Sequence, residues 1–124
     1  MLNKQTTYLF LALAFTLALT VISLVSNDGL PYFGTNYEDK IYHLLAYAVL
    51  CFLWYKAFVS LNSAYPITFA LMLCVIYGII IEVLQGQLTV TRDASIMDIV
   101  ANSLGAAIVS LILTLRKKTI VKNL

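Results

Sequence analysis

Four apolar stretches of membrane-spanning length follow one another along this chain, separated only by short polar segments. They cover residues 7–25, 41–60, 67–84 and 96–115. Each is close to the roughly 20 residues that a helix needs to cross about 30 Å of hydrocarbon. The whole chain has 124 residues, so the connections leave no room for a second domain. The pattern predicts an all-α protein, an integral membrane four-helix bundle that forms one domain over residues 1–124.

Composition agrees with this prediction and argues against an ordinary soluble domain. The chain is 61% hydrophobic and 11% charged, and its mean hydropathy is +0.90. The first apolar stretch is longer than the roughly 7–15 residues of a signal-peptide core, and a poor cleavage site follows it. We therefore expect the first helix to be retained.

The distribution of basic residues predicts the orientation of the bundle. They gather at the two ends of the chain, as Lys4, Arg116, Lys117, Lys118 and Lys122. The positive-inside rule then places both termini in the cytoplasm, segments 26–40 and 85–95 outside, and segment 61–66 inside. Because basic residues beside a span are an ordinary topology signal, we expect no nucleic-acid partner.

Polar residues collect at one set of helix ends. They are Asp39, Lys40, His43, Glu82, Gln85, Arg92, Asp93, Asp98 and Asn102. In an alternating topology, the second helix starts, the third ends and the fourth starts at one face, here the outer face. Ionisable groups near hydrocarbon are costly and usually mark a functional site. The clustering predicts an outward-facing ligand site in the cytoplasmic (inner) membrane.

The chemistry of this predicted site has two interpretations. His43 and Glu82, if adjacent, would stabilise each other's charged forms and form a proton-transfer pair, with Asp98 as a third candidate catalytic group. Lys40 and Arg92 would instead suit a phosphate or carboxylate. No diagnostic metal-ligand spacing or phosphate-binding loop occurs, so we expect no metal and no cofactor.

Most of the same residues also have purely structural explanations. Asp39 and Asp98 stand at predicted helix starts, where an acid caps the helix. Asn102 could be an interhelical hydrogen-bond donor, His43 a satisfied hydrogen-bond partner, and Gln85 a boundary residue. Arg92 and Asp93 could form a local ion pair worth little. Cys51 and Cys74 fall in mid-span and are expected to be small packing residues.

The order of these motifs carries a family resemblance. The motifs are Asp39-Lys40-x-x-His43 with Tyr47, Tyr77-Gly78-x-x-x-Glu82-x-x-Gln85, Arg92-Asp93, and Asp98-x-x-x-Asn102-x-x-Gly105. They resemble the VanZ-like family of small bacterial membrane proteins, named for a teicoplanin resistance protein. The chain departs from the family at Val109, where a further small residue is common. The resemblance implies a cell-envelope protein linked to glycopeptide susceptibility, and it assigns no catalytic role.

Three functions follow as expectations. The first is binding of an anionic lipid headgroup or a lipid-linked cell-wall precursor. The second is an intramembrane enzyme that acts on an envelope lipid through His43 and Glu82. The third is a structural or assembly role in which the polar layer only joins helices. A homo-oligomer is compatible with all three.

Overall fold

The computed structural model describes residues 4–24, 38–88 and 96–122. Its four helices are α1 (Lys4–Leu24), α2 (Glu38–Ser60), α3 (Pro66–Leu88) and α4 (Ile96–Lys122). All four are long and apolar enough to cross a membrane. The predicted all-α fold, a bundle of four such helices, is confirmed.

The helices extend beyond the predicted spans, most of all at their polar ends. α3 runs to Leu88 rather than to residue 84, and α4 runs to Lys122 rather than to residue 115. An apolar stretch marks only the part of a helix that suits hydrocarbon. Backbone hydrogen bonding continues through polar residues that remain good helix formers, such as Lys117.

A tight turn joins α2 to α3 and makes them antiparallel. Asn62 adopts a left-handed backbone with φ of 61°. The amide of Ser63 donates to the carbonyl of Phe58, and the amide of Asn62 donates to that of Val59, both at 3.0 Å. These two bonds form a Schellman cap, in which asparagine is one of the few residues that accept the left-handed position. Pro66 then opens α3, where its missing N–H costs nothing.

Contacts between side chains fix the directions of the other helices. Three bonded pairs join α2 to α4 at a nearly constant separation of 58 or 59 residues: Lys40 with Asp98, His43 with Asn102, and Cys51 with Ser110. The constant separation shows that α2 and α4 are parallel. Thr16 of α1 meets Trp54 of α2 and Tyr8 meets Lys56, so α1 runs antiparallel to α2. The starts of α2 and α4 therefore lie at the same end of the bundle as the ends of α1 and α3.

The bundle is apolar on the outside and packed with small residues within. Its core contains Ala12, Ala57, Ala70, Cys51, Cys74 and Ala106, together with Tyr47, Leu50 and Trp54. Large apolar side chains face outward along every helix, for example Leu17, Leu45, Ile76 and Leu111. An apolar exterior of this extent is typical of a surface that lies in lipid. The two cysteines are core residues, as their positions predict.

The closest packing is between α2 and α4 at Gly105. A Cβ atom at this position would lie 2.1 Å from the carbonyl oxygen of Leu44 and 3.2 Å from the amide nitrogen of Ala48. The backbones therefore meet without an intervening side chain. Small residues allow this approach in lipid, where packing and hydrogen bonds replace the hydrophobic drive between helices. This contact fixes the two helices on which most of the polar residues lie.

Candidate functional site

Six polar side chains lie at the end of the bundle where α2 and α4 begin and α3 ends. We call this group the polar cluster, and its members are Lys40, His43, Glu82, Gln85, Asp98 and Asn102. Glu82, Gln85, Asp98 and Asn102 are buried, and His43 is half-buried. Lys40 lies at the rim, with 34% of its side chain exposed. The predicted convergence at one end is thus present in the fold among the described residues.

A chain of polar contacts joins α2 to α4. Lys40 Nζ donates to Asp98 Oδ1 at 2.7 Å, and the other carboxylate oxygen lies 3.7 Å from His43 Nε2. On the far side of the imidazole, Nδ1 lies 2.7 Å from Asn102 Oδ1. Asp98 and Asn102 are four residues apart, so both project from one face of α4. The Asp98 carboxylate therefore lies against two basic side chains of α2, Lys40 and His43.

Both ring nitrogens of His43 face oxygen atoms. Each nitrogen can donate to its oxygen only when it carries a proton, so the tautomer decides which contact can be a hydrogen bond. The contact to Asn102 has the length of a hydrogen bond, whereas 3.7 Å to Asp98 is an electrostatic contact only. Small movements would let Nε2 bond the carboxylate or another polar group. His43 is thus held by one nitrogen and oriented by the other.

A second part of the site lies between Asn102 and α3. A Cβ atom on Gly78 would lie 3.1 Å from the ring of Tyr47 and 3.4 Å from Asn102 Nδ2. Glu82 follows Gly78 by four residues and lies on the same face of α3, close enough for its charge to act on Tyr47. Glycine therefore lets α3 bring a carboxylate near the two side chains.

Two buried hydrogen-bond donors here are left unsatisfied within the described part of the protein. Tyr47 Oη and Asn102 Nδ2 have no hydrogen-bond partner among the described residues. Both side chains are 1% exposed. Since buried polar groups are nearly always bonded to protein or to water, two such donors point to a bound water or to a polar group of a ligand.

α1 closes the side of the site through bonds that the sequence did not indicate. Gln85 Nε2 donates to the carbonyl oxygen of Ser23 at 2.9 Å, so Gln85 is buried and joins α3 to α1. Tyr77 Oη lies 2.6 Å from Thr20 Oγ1. The available signal was the spacing of Thr16, Thr20 and Ser23, the polar interruptions of an otherwise apolar helix.

Asp98 contacts side chains of another helix, which the capping interpretation does not require. It lies in the first turn of α4, and its side chain turns to Lys40 and His43 on α2. The interhelical interpretation of Asn102 agrees with its bond to His43. Both bonds are also compatible with a ligand site, because they arrange the groups that line it.

Three predicted site residues are less defined by the structure. Asp39 lies in the first turn of α2, and its side chain is outside what the structure describes. Arg92 and Asp93 lie outside the described residues. The pairing of His43 with Glu82 stays a prediction, since the two ring contacts given above both run to α4.

Within the described ranges, no three His, Cys, Asp or Glu side chains are grouped so that they could hold a metal ion. Comparisons with protein families, with curated proteins and with solved structures find no match for this chain. The site is therefore interpreted from its own geometry.

Proposed function

We propose that this protein is a multi-pass membrane protein whose polar cluster binds the anionic headgroup of a membrane lipid or of a lipid-linked envelope precursor. One observation carries the proposal. Lys40 is anchored at the rim by Asp98 while a third of its side chain stays exposed, directly above buried polar groups. An ammonium fixed at the edge of hydrocarbon is suited to a lipid phosphate, which lies at the same depth.

The charges around Asp98 agree with an anionic ligand. Lys40 and His43 both lie against this one carboxylate. With neutral His43 these three groups sum to zero, and with protonated His43 they carry a net positive charge, which an ionised Glu82 in the same cluster would offset. Protonation of the ring would therefore strengthen attraction for a phosphate.

The two unsatisfied donors give the ligand a place to bond. Tyr47 Oη and Asn102 Nδ2 can each donate to a phosphate or hydroxyl oxygen that enters between α2, α3 and α4. Glu82 and Gln85 on α3 would orient hydroxyl or amine groups of the headgroup. Arg92, in the adjoining connection, is proposed to add a bidentate phosphate contact.

Sequence features favour an outer-face location for this proposed site, in a bacterial inner membrane. The basic C-terminal end of α4 favours a cytoplasmic location for the opposite end of the bundle. The resemblance to the VanZ-like family extends the proposal to envelope precursors and to glycopeptide susceptibility. This extension would be supported if cells that express the wild-type protein change in teicoplanin susceptibility, whereas cells that express Lys40→Gln do not.

The test is binding of a short-chain polyprenyl phosphate to the full chain in phosphatidylcholine nanodiscs. We expect Lys40→Gln to weaken binding about fivefold, which is the effect of one interfacial charge on an anionic lipid. Lys40→Arg keeps the charge and should retain most of the affinity. The matched control is Lys117→Gln, which removes an exposed charge at the other end of the bundle.

Equal affinity in wild type, Lys40→Gln and Tyr47→Phe would contradict the proposal. Thermal unfolding of the same nanodisc samples checks that each variant is folded, and the binding of Tyr47→Phe then distinguishes the structural alternative. If the polar cluster only joins helices, Tyr47→Phe should change neither stability nor binding. If it binds the headgroup, Tyr47→Phe should weaken binding and leave stability unchanged.

A second candidate function, an intramembrane enzyme, is favoured by the imidazole geometry. His43 is fixed through Nδ1 by Asn102, and Nε2 is oriented by a carboxylate, an arrangement suited to proton transfer. Glu82 would supply the second acid–base group of the proposed pair. Turnover of an envelope lipid by the purified protein, lost in His43→Ala and in Glu82→Gln, would favour catalysis over binding alone.

A further inference from the structure

An apolar groove runs along the outside of the bundle between α2 and α4, away from the polar cluster. Its volume is about 330 Å³, and its walls include Ala48, Val49 and Phe52 of α2 and Ile112 of α4. Among the described residues, Arg116 is the one charged side chain that lines it. The groove opens to the surface that faces lipid, where Val49, Phe52 and Ile112 are exposed.

A second cation lies near the same end of the groove. Lys56 Nζ lies 5.7 Å from the centre of the Phe52 ring and 5.9 Å from that of Tyr8. Two aromatic faces thus hold this ammonium beside a groove residue. The parallel register of α2 and α4 places Lys56 at the level of Thr114 and Leu115, just before Arg116 in α4. The two cations therefore lie at similar depths, at the basic end of the bundle.

The length of the groove suits one acyl chain. Along α4 the lining residues run from Val109 to Arg116, which lies seven residues further on. At about 1.5 Å per residue this is about 10 Å. Half of a hydrocarbon core of about 30 Å is about 15 Å. A chain lying here would follow the groove for about two thirds of the depth of its leaflet.

We propose that this groove binds an anionic phospholipid of the leaflet at the basic end, with one acyl chain between α2 and α4 and its phosphate between Lys56 and Arg116. An apolar groove with two cations near one end matches the charge and shape of such a lipid. A second parallel copy of this chain would bring another Lys56 and Arg116 to the same level, where like charges repel. The charge pattern therefore favours lipid over a second copy.

The test compares lipid binding by native mass spectrometry of the full chain in neutral detergent. The probes are dioleoyl phosphatidylglycerol and dioleoyl phosphatidylcholine, which differ in headgroup charge and share their acyl chains. We expect the wild type to retain phosphatidylglycerol preferentially. Arg116→Gln should weaken this binding about fivefold, the change expected for one interfacial charge. Val49→Trp should reduce it as well, because the indole would fill the groove.

Matched controls separate a built site from general attraction. Lys117→Gln removes an exposed charge next to Arg116 that does not line the groove, and Ile76→Trp adds an indole to the exposed face of α3. Both should bind like the wild type. The share of phosphatidylglycerol binding that Arg116→Gln removes should be the same in the wild type and in a Lys40→Gln background, so failure of this proposal and failure of the polar-cluster proposal are distinguishable.

Two results would overturn the inference. One is equal retention of the two lipids, or equal losses in Arg116→Gln and Lys117→Gln, which would indicate a diffuse basic surface. The other is a wild-type dimer that Val49→Trp converts to a monomer without changing lipid retention. That result would show that a second copy of this chain occupies the groove.

Discussion

At the scale of single residues, two glycines decide how closely the helices that carry the polar cluster approach one another. A side chain at Gly105 would meet backbone atoms of α2, whereas one at Gly78 would meet the rings and amide of other side chains. Backbone cannot move without moving the helix, but a tyrosine ring can turn. The two positions should therefore differ in their tolerance of alanine.

We expect Gly105→Ala to lower the free energy of unfolding by about 1–3 kcal/mol, the range for overpacking, because α2 and α4 must separate. Gly78→Ala should cost less. Reversible unfolding in mixed micelles measures both. Gly86→Ala, at an exposed position of α3, is the control and should be neutral or stabilising, since alanine is the better helix former. Equal stability of the Gly105 and Gly86 variants would contradict the close approach.

Asn102 is the residue that links the two parts of the site. Asn102→Leu keeps a similar volume but removes the oxygen that faces His43 Nδ1. Loss of a partner for a buried polar group predicts destabilisation of about 1–3 kcal/mol. His43 is the chain's one histidine, so ¹⁵N chemical shifts of a single imidazole report the change. The control is Ser110→Ala. Ser110 lies on α4, as Asn102 does, but contacts Cys51 of α2, so this variant should leave the shifts unaltered.

At the scale of elements, α1 joins the bundle by hydrogen bonds from a few hydroxyl and carbonyl groups. Trp54 Nε1 donates to Thr16 Oγ1 at 2.9 Å, Tyr77 Oη lies against Thr20, and Gln85 bonds the carbonyl of Ser23. The other faces of α1 are largely exposed and apolar. Apolar faces contact lipid as favourably as they contact protein, so the hydrogen bonds decide how α1 docks.

Thr16→Val should loosen this docking, because it removes the acceptor of the Trp54 indole. The expected loss is about 0.5–1.5 kcal/mol, the net value of an ordinary hydrogen bond. Trp54 is the only tryptophan, so its fluorescence follows α1 directly. Thr114→Val is the control, since that hydroxyl bonds Ser110 within its own helix. Identical emission and stability in both variants would show that α1 docks by another means.

The elements also show where prediction from sequence ends. Hydropathy located all four helices, because a helix that crosses the hydrocarbon needs an apolar stretch of matching length. It did not predict that α3 continues to Leu88, or that Gln85 is buried against α1. A polar residue at the edge of a span looks the same in sequence whether it meets water or a neighbouring helix.

At the scale of the whole molecule, the alternation of helix directions gathers polar groups at one end and leaves Lys56, Arg116 and Lys117 at the other. The described helices form a bundle with apolar sides and two chemically different ends. The positive-inside rule predicts that the basic end faces the cytoplasm. The membrane orientation of both proposed lipid sites depends on this prediction.

Cysteine accessibility tests the orientation in intact cells. In a Cys51→Ala, Cys74→Ala background, we expect a membrane-impermeant maleimide to label Gln87→Cys and to leave Ala64→Cys unlabelled until the membrane is permeabilised. Both native positions are exposed, so neither result is explained by burial in the bundle. The opposite labelling pattern would place the polar cluster in the cytoplasm and contradict the outward-facing site.

The sequence by itself determined the helices, their number and the end at which polar residues collect. These depend on local hydropathy and on alternation of direction, which are properties of the chain order. Only the tertiary structure decided that Asp98 serves both Lys40 and His43, and that Tyr47 and Asn102 bury polar atoms beside Gly78. Such pairings depend on the rotation and spacing of each helix about its neighbours. Hydropathy does not encode rotation or spacing, which follow from contacts such as that of Gly105 with α2.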